Sequence, residues 1–327
     1  MIRPVAPMRT LIYDSASLPV ERWAALCERG PQATVFHSAS WSQVWERSRS
    51  DARAQWRVLT DDHGRWIGGI PLVRFSRFGI TRLYSQPLGT YGGWIGEEFE
   101  GRWEVISQWT RQWWRPSVAE LVVTPFRDDE TRSYPGRKID RTRHVLDLSL
   151  LTAERSWEGN LRPDTLRNLI IARKHGWWVE RVENSGHVER TRPLWEQTFD
   201  RHQRKFDPGQ WRFYRTLCEL ISPSGKLFWW TAGDGRGAGG TIICLHSGDR
   251  FFYHDGAMDL SLGEGRPMYA LFDRAIETAV RLGCRTFDFG SGPAGTMGLE
   301  RFKEGWGAVP ELYSEYHYRK PWWPGRS

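Results

Sequence analysis

Twice along this chain the spacing of apolar residues passes from the helical period to alternation and back, and that order of elements constrains the fold more than any bulk property. In the first half, SLPVERWAALCERG and HSASWSQVWERS place apolar residues at helical spacing behind a serine, the first of which can cap its helix. QWRVLTDDHGRWIGGIPLVRFSRF then alternates, reading as two strands joined by a turn at Asp61 to Gly64. RLYSQPLGTYGG is a strand entering a glycine-rich turn, and GRWEVISQWTRQWWR is an amphipathic helix carrying Trp103, Ile106, Trp109 and Trp113. AELVVTPF is a short buried strand; a polar stretch, RDDETRSYPGRKIDRTR, separates it from the strand HVLDLSL, where a domain boundary is placed.

The second half repeats the order. NLRPDTLRNLIIARKHG is a helix closed by Gly176, WWVERV a strand, and RTRPLWEQTFDRHQRKF and QWRFYRTLCELI two helices. KLFWWTAGD, GGTIICLHSG and RFFYHDGAMD are three successive strands with Gly/Asp turns. RPMYALFDRAIETAVRLG is a helix with Leu271, Ala275, Ala279 and Leu282 on one face, leading into the strand RTFDFG.

At 327 residues the chain exceeds what one core usually serves. Two domains are expected, 1–148 and 149–310, with 311–327 able to complete the first. Hydrophobic residues at 39% and charged residues at 26% describe a globular protein, while 20 tryptophans leave rings to spare for lining a cleft. The net charge of +7 suits polyanionic partners such as tRNA, nucleotide-linked substrates or CoA phosphates; solubility is the plainer reading. Cys27, Cys218, Cys244 and Cys284 lack metal or redox spacing and read as reduced thiols. No apolar run reaches the ~20 residues of a membrane span, and MIRPVAPMRTLIYD lacks a signal peptide's apolar stretch, so a cytoplasmic protein without stable membrane insertion is expected, a monomer or weak dimer. The nine histidines show no metal spacing and there is no G-x-S-x-G elbow, so no metal and no hydrolase chemistry are expected.

Each half therefore reads as helices, an antiparallel meander, a helix and a further strand, the order of the GNAT acyltransferase fold. The expected fold class is α/β (α+β): two tandem GNAT-like domains, each a mixed, mostly antiparallel sheet flanked by helices. Specific motifs agree. HVLDLSL followed by Trp157, Leu161 and RPDTLRNLIIARKHGWWV resembles the signature of the FemABX-like aminoacyl and acyl transferases, and FDFGSGPAGTMGLERFKEGWGAVPELY resembles that family's ending. VFHSASWSQVW and LYSQPLGTYGGW match its first-half segments in order. Related CelD or BioF2-like acetyltransferases share much of the second half.

The resemblance implies transfer of an aminoacyl group from aminoacyl-tRNA to an amine of a peptidoglycan precursor or related peptide. Acyl-CoA-dependent N-acylation of a cell-envelope or secondary-metabolite amine is the alternative, and noncatalytic RNA binding a further one. The donor, aminoacyl-tRNA or acyl-CoA, is a co-substrate, with no tightly bound cofactor. Aminolysis of an ester or thioester needs positioning and a place for the intermediate's negative charge. The family's Phe-Lys pair falls on Phe302 and Lys303, with Lys303 placing an ammonium by the oxyanion and Phe302 walling the acyl-carrier channel. A solvated lysine beside a buried phenylalanine is the structural alternative. Arg167 and Lys174, seven apart and joined by Arg162 and Arg173, form a basic stripe for phosphates or else a solvated face. In SLGEGRP, Gly263, Gly265 and Arg266 precede a helix N-terminus where GNAT enzymes hold the CoA pyrophosphate, although the full glycine pattern is missing and a simple turn is the stronger reading. Tyr253, Asp255 and Asp259 lie on a strand and its exit; Asp255 can accept a proton from the attacking ammonium or merely cap a turn. The resemblance implies that Tyr214 lines the acceptor site, and Tyr91 and Tyr253 are further expected substrate-binding residues.

Overall fold

The computed structural model describes residues 8–88, 90–97, 118–124, 136–149, 151, 157–292 and 297–319. The chain divides into two compact units, Met1–Arg141 with Tyr313–Ser327, and Thr142–Leu312. Both are mixed, mostly antiparallel sheets with helices packed on them.

In the first unit β1 (Arg9–Asp14), β2 (Ala52–Thr60), β3 (Trp66–Arg77) and β4 (Ile80–Tyr84) form an antiparallel meander. β4 runs parallel to β6 (Val118–Val123), which pairs antiparallel with residues 316–319 of β13 (Val309–Arg319). The short β5 (Ile95–Gly96) pairs with β3. Two helices, α1 (Val20–Arg29) and α2 (Ala39–Ser48), bury Trp23, Leu26, Trp41, Val44 and Trp45. The capping expectation is reversed. Pro19 stands at the N-cap of α1 without a side-chain bond, and the Ser17 hydroxyl donates instead to Asp14 at 2.7 Å. Ser38 caps α2, accepting the Trp41 N–H at 3.2 Å. The helix expected over 101–115 lies outside the described residues.

In the second unit the strand order is β7 (Arg137–Asp147, from Thr142), β12 (Thr286–Ser291), β11 (Arg250–Met258), β10 (Gly237–Ser247), β9 (Leu227–Asp234) and β8 (Trp178–Arg181). β12 and β11 are parallel and the remaining pairs antiparallel. β9 is buried along nearly its whole length because helices cover both faces. One face carries α3 (Pro163–His175) and α6 (Pro267–Arg281), the other α4 (Ser185–Arg201) and α5 (Pro208–Ile221). α3 ends at Gly176, whose φ of +77° supplies the left-handed cap. The apolar stripe of α6 is Leu271, Phe272, Ala275, Ile276 and Ala279, all 2% exposed or less; Leu282 closes the helix and is 42% exposed, so it is not part of that face. α7 (Met297–Gly305) follows β12.

Candidate functional site

The parallel pair β11 and β12 stays together for three residues only, Arg250–Phe252 against Thr286–Asp288. Beyond them β11 runs on to Met258, paired among the described residues with β10. Its ladder with β10 slips by one residue, since Ile243 faces Asp255 and Cys244 faces Tyr253, which leaves His254 as the extra residue of a β-bulge. β12 departs in the opposite sense at Gly290, whose φ is +67°. A slot thus opens between two parallel strands, edged by the stretch of β11 that follows Phe252. An extended ligand can fill such an edge with main-chain hydrogen bonds.

Lys303, on the last turn of α7, lies beside this slot. Its side chain is 2% exposed, and its Nζ donates to the Gly290 carbonyl at 2.7 Å. The ammonium therefore points into β12 and away from bulk water. The Gly290 N–H donates to Asp288 Oδ1 at 2.7 Å, and Asp288 Oδ2 is 3.5 Å from the Arg143 guanidinium, which also reaches Glu311 at 2.9 Å. Burial pulls the Lys303 pKa down from its ordinary 10.5 to about 8, against the opposing pull of Asp288 and Glu300. Nearby His144 is also lowered, by burial first and by the Lys303 charge second.

The glycines of this ending serve the backbone. A Cβ on Gly305 would overlap the Thr165 hydroxyl, so glycine lets α7 dock against α3, where the Arg162 N–H donates to the Gly305 carbonyl at 2.9 Å. Phe302 meets Tyr269 and Phe272 at centroid distances of 5.4 and 5.2 Å and belongs to the aromatic packing of α7 on α6.

On the other face of β11, the Tyr214 hydroxyl donates to Asp255 Oδ2 at 2.7 Å. Asp255 sits inside the strand and not in a turn; its second oxygen accepts the Gly256 N–H at 2.8 Å. Burial raises its pKa, with the Tyr214 and Gly256 hydrogen bonds acting the other way. Tyr214 is itself fully buried, stacked on Trp195 at 4.3 Å. Tyr253 turns to the opposite face, 5.0 Å from Phe272, and its pKa is raised by burial and then by the Asp255 charge. The bulge explains the division, because it sends neighbouring side chains to faces that simple alternation does not assign.

The other expected residues are dispersed. Arg167 and Lys174 are exposed on α3, but Arg173 is committed to Asp273 and Glu158 at 2.9 and 2.8 Å, and Arg162 to Glu304 at 2.7 Å. Half of the basic stripe is thus a set of ion pairs. Asp259 caps the turn that follows β11, accepting the Ser261 N–H at 2.8 Å. Gly265 accepts the Trp177 indole N–H at 2.6 Å, and an added Cβ would stand 2.5 Å from that ring. Its small size serves packing, so Gly265→Ala is expected to cost about 1–3 kcal/mol, read as a lower Tm. Arg266, left-handed at φ +58°, bonds Asn168 at 3.0 Å. Tyr91 lies in the first unit, packed between Phe36 and Tyr313. The sequence reading passed over Asp288, Gly290 and His254; the available signal was an aspartate inside the apolar run FDF, since a buried carboxylate demands partners.

Residues 164–304 match the model of the acetyltransferase (GNAT) domain. The crystal structure of FemX is similar over 94% of this chain and 96% of its own, with a TM-score of 0.69 and 11% identity. The C-terminal domain of a putative lysylphosphatidylglycerol synthetase from Agrobacterium fabrum matches over 92% and 91%, TM-score 0.56, 12% identity. A tandem GNAT protein from the clavulanic acid biosynthesis pathway matches over 96% and 98%, TM-score 0.55, 12% identity. No curated protein matches the chain. The chain has a FemABX-like GNAT fold, the fold of GNAT-type acyltransferases. At these identities the likeness is one of fold.

Proposed function

We propose that this chain transfers an aminoacyl group from charged tRNA to an amine of a peptidoglycan precursor or related peptide. The observation that carries the reading is the buried Lys303 ammonium beside the slot between β11 and β12. The donor's acyl end enters the slot. The acceptor nitrogen attacks the ester carbon, a C–N bond forms, and the oxyanion is held by N–H donors of Lys303 that Gly290 does not use. Collapse breaks the C–O bond to the ribose, whose oxygen takes up the one proton that the nucleophile loses overall, passed through Asp255. Asp255, its pKa raised, accepts the proton that the nucleophile sheds. Exposed Arg167 and Lys174 meet donor phosphates.

A second reading, acyl-CoA-dependent N-acylation, draws support from the GNAT domain match. One observation weighs against it. At the turn before α6, the Ser261 and Arg266 N–H groups are bonded to Asp259 and to the Gly263 carbonyl, and Pro267 has none, so these three positions offer no amide to a pyrophosphate. Incubation with tRNA charged with a radiolabelled amino acid and with an amine-bearing muropeptide is expected to yield labelled peptide, abolished by ribonuclease. Free thiol released from acyl-CoA, with no transfer from tRNA, establishes the second reading instead; tRNA binding without turnover of either donor leaves RNA binding alone.

The charged form of Lys303 is the working form. At saturating substrates kcat is expected to fall above a pH of about 8, where this lysine loses its proton. In Lys303→Arg the fall should move out of the accessible range. An unchanged profile removes Lys303 from the mechanism.

A further inference from the structure

The hairpin joining β3 to β4 turns through Phe78 and Gly79, with Arg77 paired to Ile80. Both central residues have positive φ, +50° and +75°, the type I′ geometry that Asn, Asp or Gly adopt at least cost. A phenylalanine there is strained by about 1–2 kcal/mol. Its ring is 88% exposed, so no core packing offsets the strain. The Arg77 guanidinium lies 5.0 Å from that ring and makes no salt bridge among the described residues.

Beneath the turn, Phe75 stands opposite Arg82 and Arg77 opposite Ile80, which puts all four on one face of the hairpin. Arg49, just after α2, closes the side: Asp51 grips it at 3.0 and 3.2 Å, with its guanidinium 5.6 Å from the Phe75 ring. These residues line a cleft of about 400 Å³, formed by Arg49, Asp51, Phe75, Arg77, Phe78, Ile80 and Arg82. Three guanidiniums against one carboxylate leave a net charge of plus two on the lining; Glu120, outside it, reaches Arg82 at 3.9 Å, and Arg77 is the guanidinium without a salt bridge among the described residues. The volume suits a small ligand.

We propose that this cleft binds a nucleotide, its phosphate on the arginines and its base on the exposed ring of Phe78. Guanidinium forks match phosphate oxygens, and an open aromatic face is what a base stacks on. An acidic peptide satisfies the arginines yet gives no use to a ring held out at the cost of turn strain. The nucleotide is either free, including one linked to a sugar, or part of an RNA strand. The cleft belongs to the first unit, and its occupancy is independent of whether the second unit transfers acyl groups.

Isothermal titration of the full chain tests this with four probes: adenosine monophosphate, inorganic phosphate, a short single-stranded RNA and hexaglutamate. Phe78→Asn suits the turn and keeps the hairpin folded, so it is expected to weaken adenosine monophosphate about tenfold or more while leaving phosphate unchanged. Arg77→Gln combined with Arg82→Gln should weaken every anionic probe by about tenfold or more. RNA that binds tighter than the mononucleotide, with affinity dropping steeply in salt, assigns the occupant to an RNA strand; RNA no tighter than the mononucleotide assigns it to a free or sugar-linked nucleotide. Absence of binding by both nucleotide probes, indifference to Phe78→Asn, or hexaglutamate binding as well as the nucleotide overturns the proposal.

Discussion

Lys303→Met is expected to lower kcat roughly 100- to 1,000-fold, the usual loss when one donor to a tetrahedral oxyanion is removed. The melting temperature should hold or rise. A lysine whose folded pKa of about 8 lies below its ordinary 10.5 sheds its proton first in the folded protein. Its charge therefore costs stability below pH 8, and the protein recovers that stability as pH climbs from 8 towards 10.5. A depression of this size corresponds to roughly 3 kcal/mol. Methionine removes that cost, while leaving the Gly290 carbonyl without its donor, a loss of about 1–3 kcal/mol. The two effects nearly cancel, so lost turnover in this variant is not lost folding. Stopped-flow or steady-state transfer rates read beside a thermal melt check both halves; full activity in Lys303→Met refutes the assigned role.

Trp306→Ala should behave in the opposite way, with stability and turnover falling together. The indole is fully buried, its centroid 5.7 Å from Tyr269, 6.0 Å from Phe272 and 6.3 Å from Phe302. Truncating such a ring costs about 3–5 kcal/mol, transfer and cavity contributions together. That is a large share of the ~5–15 kcal/mol that holds a domain, and a drop of Tm on the order of 10 °C is expected. The backbone N–H of Trp306 donates to the Lys303 carbonyl at 3.1 Å, so loosening this residue also loosens the end of α7 that presents the ammonium. Trp306→Phe should retain more of both quantities, since its ring still fills the space and the indole N–H has no hydrogen-bond partner among the described residues. Equal losses in the two variants would mean that volume is not what matters here.

Much of the second unit was legible because its periods are strong. KLFWWTAGD, GGTIICLHSG and RFFYHDGAMD are strands where the alternating and apolar runs place them, and α6 carries the expected apolar stripe except at Leu282. The misses have physical causes. RTLIYD forms β1 and RKIDRTR the first half of β7, but the β7 residues carry exposed polar side chains, and nothing in their pattern marks a strand until a neighbour supplies hydrogen bonds. Ser17 was expected to cap because it precedes an apolar helical run, as Ser38 also does; the local turn at Asp14 claimed it. Arg173 looked like its neighbours Arg167 and Lys174 because a helix face does not reveal that Asp273, a hundred residues away, will meet one of them.

By itself the sequence determined the identity and order of most elements, together with the motif ending in Phe302 and Lys303, because hydrophobic period and glycine placement act over a few residues. Only the tertiary structure decided which polar groups share a site. The parting of β11 from β12, the bulge at His254, and the burial that brings Lys303 to the Gly290 carbonyl all depend on strands and a helix distant in the chain. Desolvation and hydrogen-bond partners are properties of the packed interior, and no local pattern encodes them.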